Sequence, residues 1–110
     1  MERAAFRLNP VVASGWVGVL TVELHFPEAH SLKEKRQYLR SAKAQLQNRF
    51  GASVAEVDHH DVWQRSRLTV ACVAREHNEA QRLLDEAERW LRVQAWEVSL
   101  ADRFLVDPED

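Results

Sequence analysis

A well-delimited helix between Pro27 and Gly51 constrains the fold more than any other stretch of the sequence. Ser31 and Glu34 have the spacing of a capping box, in which the serine accepts an N–H of the first turn and the glutamate accepts the N–H of the cap residue. Pro27 disfavours an earlier start, and Gly51 suits the left-handed residue that commonly ends a helix. Between them, apolar side chains at helical spacing form one stripe that is predicted to pack on a core: Leu32, Leu39, Ala42, Leu46 and Phe50.

The same helix carries a second stripe, of positive charge, whose members are Lys33, Arg36, Arg40 and Lys43. One interpretation is a solvated face that keeps the domain soluble. The other is a surface that contacts the phosphate backbone of a nucleic acid. Lys35 stands beside the free N–H groups of the helix start, where an anion is favoured. We therefore predict an RNA- or anion-binding surface made by Lys33, Lys35, Arg36, Arg40, Lys43 and Arg65.

Length, cysteine content and charge narrow the class of protein. A chain of 110 residues suits one domain, and its one cysteine excludes an intramolecular disulfide and favours a reducing, cytoplasmic location. No apolar run reaches the roughly 20 residues of a membrane span, and the first residues lack an uninterrupted apolar signal region, so we expect no membrane association. Residues 1–56 hold eight Lys and Arg against five Asp and Glu, and residues 57–110 hold seven against twelve. Only a local basic patch is therefore available to a nucleic acid.

Three stretches alternate and predict strands. In residues 16–26 the core side is predicted to consist of Trp16, Leu20, Val22, Leu24 and Phe26. Within residues 62–74 the inward set is Leu68, Val70 and Cys72. Within residues 52–58 we expect Ala55 and Val57 to point inward, and Val54, Glu56 and Asp58 to point outward. Gly18 leaves room for a neighbour to approach the first strand closely.

A second helix follows, with Asn78 and Gln81 as its predicted capping box. Its apolar stripe is Ala80, Leu83, Leu84, Ala87, Trp90 and Leu91, and a last strand alternates through Trp96, Val98 and Leu100 and resumes at Phe104 and Val106. The order β-α-β-β-α-β predicts an α+β fold, a ferredoxin-like sandwich of a four-stranded antiparallel sheet with two helices on one face. We assign residues 16–106 to this domain, residues 1–15 to a flexible N-terminal tail and residues 107–110 to an acidic C-terminal tail.

The second face of the predicted sheet is left uncovered, because each helix has only one apolar stripe. Its predicted residues are apolar: Val17, Val19, Val54, Ala71 and Val73. Exposed apolar patches of this kind usually mark contact with another chain. We expect a homodimer or a protein partner on this face.

The polar loop after the second strand is the most chemically suggestive segment. We predict a loop site made by His30, Asp58, His59, His60, Asp61 and Trp63. Its histidines and carboxylates could seed a metal site, with His25 or His30 added, but the spacing matches no tight ligand motif and adjacent histidines point in different directions. We therefore expect no metal and no cofactor. Trp63 either covers the sheet edge or stacks on an unpaired base, with Arg65 beside it for a phosphate.

Two motifs and a strand start carry a resemblance to a known family. They are Val17-Gly18-Val19, the run from His30 to Arg36, and the run from Val54 to Arg65. Together they resemble the YlxP-like family of small bacterial proteins of unknown function, over about residues 16–105. The resemblance implies a ferredoxin-like fold. The genes that neighbour those of the family imply a ribosome- or RNA-linked role, and the family has no established catalytic residues to carry over.

These features favour a small non-catalytic module that binds structured RNA or the ribosome through the basic helix. The alternative is a homodimeric protein–protein adaptor that uses the open sheet face. A metal-dependent or phosphate-acting hydrolase is third, because no nucleophile, base and pocket come together in the sequence. The Gly-rich phosphate loop of acylphosphatases is also missing after the first strand, where His30 stands either as a general base or as a hydrogen-bonding residue of the helix start.

Overall fold

The structure is a computed structural model that describes residues 15–107. Its elements are β1 (Trp16–His25), α1 (Leu32–Phe50), β2 (Ser53–Asp58), β3 (Arg65–Ala74), α2 (His77–Arg92) and β4 (Glu97–Val106). The strands form one antiparallel sheet in the order β2-β3-β1-β4. This arrangement confirms the predicted ferredoxin-like fold. The predicted tails, residues 1–15 and 107–110, lie outside the described residues except for Gly15 and Asp107.

Both ends of α1 follow the sequence prediction. Ser31 is extended, with φ −162° and ψ 162°, and its hydroxyl accepts the N–H of Glu34 at 3.1 Å. Gly51 ends the helix in the left-handed conformation, with φ 61°, and donates its N–H to Gln47 at 3.0 Å. The carboxylate of Glu34 accepts the N–H of His30 at 3.3 Å, one residue before the predicted partner. The cap therefore also holds the turn that leads into α1.

The core lies between the sheet and the two helices, and its largest contributors are the predicted ones. The core positions predicted for β3 are all buried, and those predicted for β1 are buried except Trp16, which is half-buried. The inner positions of both helices are buried as well: Leu39, Ala42, Leu46, Ala80, Leu84, Ala87 and Leu91. Burial raises the pKa of the Cys72 thiol, which disfavours the reactive thiolate form. Gly18 allows close packing as predicted, since a Cβ there would lie 3.0 Å from the side chain of Leu84. Among the described residues, neither helix is long and apolar enough to span a membrane.

The orientation predicted for residues 54–57 of β2 was wrong, whereas Asp58 lies on the open face as predicted, because a bulge between Glu56 and Asp58 shifts the register. Val54 packs against the core and Glu56 is partly buried, whereas Ala55 is exposed and Val57 is 52% exposed. The pairing of Val54 with Val70, a core residue of β3, fixes this orientation. Apolar residues occupy both parities of β2, so the alternation did not reveal which set faces the helices; a register set by a neighbouring strand decides it. Val54 therefore does not belong to the open face.

Strand β4 contains a bulge that the sequence pattern did not show. Glu23 of β1 pairs with Leu100 and Leu24 pairs with Val98, so one extra residue, Ser99, lies between two consecutive pairs. Side chains beyond the bulge change faces as a result. Leu100 and Phe104 are each 56% exposed on the open face. Residues that alternate with them pack against the core, namely Ala101 and Leu105.

The capping box predicted at Asn78 and Gln81 was also wrong. Helix α2 begins at His77, and its cap residue is Glu76, which makes no side-chain capping bond. The N–H of Ala80 already bonds to the carbonyl of Glu76 at 3.0 Å, so Asn78 lies inside the first turn. The cap therefore lies two residues before the predicted one.

Replacing Gly51 by alanine should destabilise the protein by about 1 kcal/mol, because a Cβ in the left-handed conformation meets the following carbonyl. No other atom lies within 4 Å of the added Cβ, so the loss would report the backbone alone. Gly51→Asn is the control and should cost less, since asparagine tolerates this conformation. Urea unfolding of both variants measures the difference. Equal stability of Gly51→Ala and the wild type would contradict the assigned helix end.

Candidate functional site

Lys35 is a buried cation at the start of α1, not the surface residue that the sequence predicted. Its side chain is 1% exposed, and its Nζ lies 2.9 Å from Oε2 of Glu56. The ammonium also donates to the carbonyl of His59 at 2.5 Å and lies 3.5 Å from that of His60. A buried ammonium needs such partners, because losing water without them costs several kcal/mol. Lys35 is therefore occupied inside the protein and is removed from the predicted RNA-binding surface.

Glu56 collects three donors on the inner side of β2. Besides Lys35, it accepts the hydroxyl of Ser66 at 2.6 Å, and its Oε1 lies 2.9 Å from Nδ1 of His60. Burial by itself raises the pKa of Glu56, but the hydrogen bonds from Ser66 and Lys35 outweigh it, and the pKa lies below its ordinary value of 4.5. The carboxylate is thus ionised at neutral pH and balances the buried ammonium.

The loop between β2 and β3, residues 59–64, is fixed at both of its ends. His59 has a left-handed backbone, with φ 66°, and its carbonyl accepts the N–H of Val62 at 3.1 Å as well as the Lys35 ammonium. At the other end, the carbonyl of Gln64 accepts the N–H of Phe26 at 2.9 Å, and its side-chain Nε2 donates to the carbonyl of Ala29 at 3.1 Å. The loop is therefore fastened to the turn that precedes α1.

An open cleft lies where this loop meets that turn. Its volume is about 420 Å³, and it is lined by His30, Val62, Trp63 and Gln64. We call it the Trp63 cleft. Trp63 is 48% exposed and Val62 is 42% exposed, so the loop presents apolar surface to solvent at this point. Of the residues predicted for the loop site, His30 and Trp63 come together here.

The remaining predicted loop residues face elsewhere. His59 approaches Glu23 on the open sheet face, with Nε2 3.3 Å from Oε2, whereas His60 pairs with Glu56. Asp58 joins the open-face cluster through Arg67 at 3.5 Å, and Asp61 is exposed. In residues 15–107, no three His, Cys, Asp or Glu side chains are grouped so that they could hold a metal ion.

Arg65 was predicted to stand beside Trp63 or on the basic surface. Its guanidinium instead lies 3.7 Å from the carboxylate of Glu23, on the open sheet face. Glu23 is 7% exposed there and is also bound by Arg67, whose Nε lies 2.5 Å away. Arg65 is 56% exposed, but its charge is directed to Glu23 and away from the Trp63 cleft. The sequence did not indicate this cluster, because its members come from strands that only the sheet brings together.

The other predicted cations remain on the outer surface of α1. We call Lys33, Arg36, Arg40 and Lys43 the α1 cation row. The first three are exposed and Lys43 is half-buried. Within residues 15–107 none of the four has an ion-pair partner, whereas Arg92 and Arg103 on the opposite side of the domain are paired with Glu88. A groove of about 230 Å³ runs along the row beside β2, lined by Arg36, Leu39, Arg40, Lys43 and Glu56.

The open sheet face is apolar over one half. We call this half the open apolar patch, and its members are Val17, Val19, Ala71, Val73, Phe104 and Val106; Ala55 and Val57 of β2 border it at the edge of the sheet. Val73 is 73% exposed and Phe104 is 56% exposed. A hydrogen bond of 3.0 Å between Thr21 and Thr69 separates the patch from the Glu23 cluster. Phe104 was not predicted for this face, since the β4 bulge puts it there.

Replacing Lys35 by methionine should destabilise the protein by about 3 kcal/mol, because Glu56 would be left as a buried charge without its main partner. The exposed Lys33→Met variant is the matched control and should change stability by less than about 0.5 kcal/mol. Adding Glu56→Gln to Lys35→Met should recover part of the loss. Urea unfolding measures all three, and equal stability of the two single variants would contradict the buried pair.

The sequence matches one family of proteins and is similar to a bacterial relative. Residues 17–103 match the model of a family described as a protein of unknown function (DUF503). Uncharacterized protein YlxP of Bacillus subtilis (strain 168) is 36% identical over 58 residues, which are 53% of this chain and 63% of that relative, so the match spans less than two thirds of its length. The de novo designed protein Ferredog-Diesel aligns over 97% of this chain and 99% of its own, with a TM-score of 0.38 and 13% identity. Because the family match extends from β1 into β4, the chain belongs to this family of unknown function, to which the YlxP-like motifs pointed.

Proposed function

We propose that this protein binds structured RNA, ribosomal RNA included, through the α1 cation row. The observation that carries the proposal is the set of four neighbouring cations without an ion-pair partner in the described part of the chain. Ion pairs neutralise some arginines elsewhere on the surface, as Glu88 does for Arg92 and Arg103. Arg82 and Arg89 have no ion-pair partner among the described residues, but they lie on α2 among several acidic residues. Cations left unpaired in a row are free to replace the counterions of a phosphate backbone.

The geometry of the row suits a phosphate backbone. At a rise of about 1.5 Å per residue, Lys33 and Lys43 are about 15 Å apart along the helix axis. Arg36 and Arg40 stand between them on the same side of the helix, beside the groove that borders β2. A stripe of this length can contact more than one phosphate of a strand, and its arginines can bind phosphate oxygens in pairs.

The sheet supports recognition of shape and phosphate more than of sequence. Proteins that read RNA on a four-stranded sheet stack bases on aromatic residues of the central strands. The central strands here are β3 and β1, and their open-face positions carry Val, Ala, Thr and charged residues. The exposed aromatic on that face, Phe104, lies on the edge strand β4. The helix is therefore the surface through which we expect RNA to be bound, in line with the RNA-linked role that the family resemblance implies.

Reversing two charges of the row, with Arg36→Glu and Arg40→Glu together, should weaken binding to a structured RNA at least tenfold at low salt. Each lost phosphate contact should also reduce the slope of log affinity against log salt by about 1. Fluorescence anisotropy with a labelled ribosomal RNA fragment, over a salt series, measures both quantities.

The matched control is Arg82→Glu with Arg89→Glu on α2. These arginines are also exposed and have no ion-pair partner within residues 15–107, and the change in net charge is the same. The control should retain most of the affinity, because these residues lie on the other helix. Equal weakening by both double variants would show a response to net charge alone and would contradict a binding site on α1.

The open apolar patch supports a second candidate function, assembly into a homodimer or with a protein partner. Val73 and Phe104 are each more than half exposed, and they belong to one continuous half of the face. Soluble proteins seldom leave apolar side chains grouped in this way without a partner. Two copies that pack this half against itself would cover the same residues on both, as a two-fold interface requires.

Replacing Phe104 by glutamate should shift the protein to the monomer if the patch joins two copies, because a charge would be buried at the centre of the contact. Sedimentation velocity from low to high protein concentration compares this variant with the wild type. Arg36→Glu is the control and should leave the association state unchanged, since α1 lies on the opposite layer. A wild type that remains monomeric at every concentration would contradict the homodimer.

A further inference from the structure

We propose that the Trp63 cleft takes one unpaired nucleotide of the bound RNA, with its base stacked on the indole of Trp63. This inference rests on the proposed function, since the cation row would hold the paired region of the same RNA. It assigns to the loop a role in choosing which RNA is bound. Single unpaired bases are the parts of structured RNA that aromatic side chains bind.

The indole of Trp63 is available for stacking. Trp16, Trp90 and Trp96 each contact another ring at 4.8 to 6.0 Å between centroids, whereas Trp63 makes no ring contact with the described aromatic residues. Trp63 is 48% exposed and is not among the side chains that pack against the core. An aromatic that only closed the sheet edge would be expected to bury more of its surface.

The loop that carries Trp63 is held in place before any ligand arrives. The carbonyls of His59 and Gln64, on either side of it, accept hydrogen bonds from Lys35 and Phe26. The Nε2 of Gln64 is bound to the carbonyl of Ala29 at 3.1 Å. Since little chain entropy remains to be lost, a stacked base would keep most of its contact energy.

The lining of the cleft suits a nucleobase in size and polarity. Its volume of about 420 Å³ falls in the range of pockets that hold small ligands. Val62 and Trp63 supply apolar contact. The Oε1 of Gln64 accepts no hydrogen bond from the described residues, so it can accept one from the amino group of a base. The exposed imidazole of His30 adds a polar group at the rim.

One residue of the cleft shortly precedes the α1 cation row in the chain. His30 lines the cleft, and Lys33, the first member of the row, follows it by three residues, with Arg36 one turn further along α1. Lys35 contributes no free charge here, because its ammonium is bound to Glu56 and the loop carbonyls. An RNA strand whose phosphates lie along the row can therefore place an unpaired neighbour at Trp63.

The test compares two fluorescein-labelled RNA hairpins, one with a single bulged adenosine and one fully paired, by anisotropy at the same salt. Trp63→Ala should weaken binding of the bulged hairpin by about fivefold or more and of the paired hairpin by less than about twofold. Trp63→Phe should retain most of the preference, because phenylalanine still stacks. Phe104→Ala removes a comparably exposed aromatic outside the cleft and should leave the ratio of the two affinities unchanged.

Two results would overturn the inference. One is a ratio of the two affinities that Trp63→Ala leaves unchanged, whether or not both affinities fall, and the other is a wild type without preference for the bulge. If Arg36→Glu with Arg40→Glu still abolishes binding of both hairpins in those cases, the proposed RNA surface stands and only the cleft assignment fails. If the wild type binds neither hairpin nor ribosomal RNA, the proposed function fails, and the inference fails with it.

Discussion

The buried ammonium of Lys35 is the contact on which the arrangement of α1, β2 and the loop after β2 depends. It joins α1 to the carboxylate of Glu56 on β2 and to the carbonyls of the loop that follows. Pairs of this kind add little net stability compared with apolar packing, but removing one partner is costly, so they favour a single arrangement over its alternatives. In this protein Lys35 binds the carbonyl of His59, whose backbone is left-handed, and Gln64 holds the other end of the loop against the turn before α1. The Trp63 cleft exists because those two segments are held together.

Helix α1 consequently has three distinct surfaces. Its apolar residues, such as Leu39 and Leu46, pack on the sheet, and Lys35 binds the loop. Its outer side carries the α1 cation row, which has no ion-pair partner among the described residues. The helix thereby fixes the position of the proposed RNA surface relative to the cleft without a flexible connection. A phosphate surface and a base-stacking surface that are rigidly placed can distinguish RNA shapes even when few bases are read.

The uncovered side of the sheet is divided by chemistry. One half is the open apolar patch, and the other holds Glu23, which Arg67, Arg65 and His59 surround. The carboxylate of the charged half is already matched by cations of β3 and of the loop, although the exposed Leu100 lies next to it. The side chains of the apolar half are not covered by another element within residues 15–107, since both helices lie on the opposite layer. Any contact with a second chain is therefore expected on the apolar half, away from the α1 cation row, so RNA binding and assembly need not compete.

The sequence by itself determined the elements that local rules specify: α1 with its cap at Ser31 and its end at Gly51, the inward faces of β1 and β3, and hence the ferredoxin-like order. Only the tertiary structure decided which face β2 and the end of β4 present, because a register and a bulge are properties of paired strands. Only the tertiary structure also showed that Lys35 is buried, because no local feature of the sequence distinguishes it from the other five cations of α1. Its burial follows from Glu56 and the loop carbonyls, which lie more than twenty residues away in the chain and meet it only after the sheet has formed.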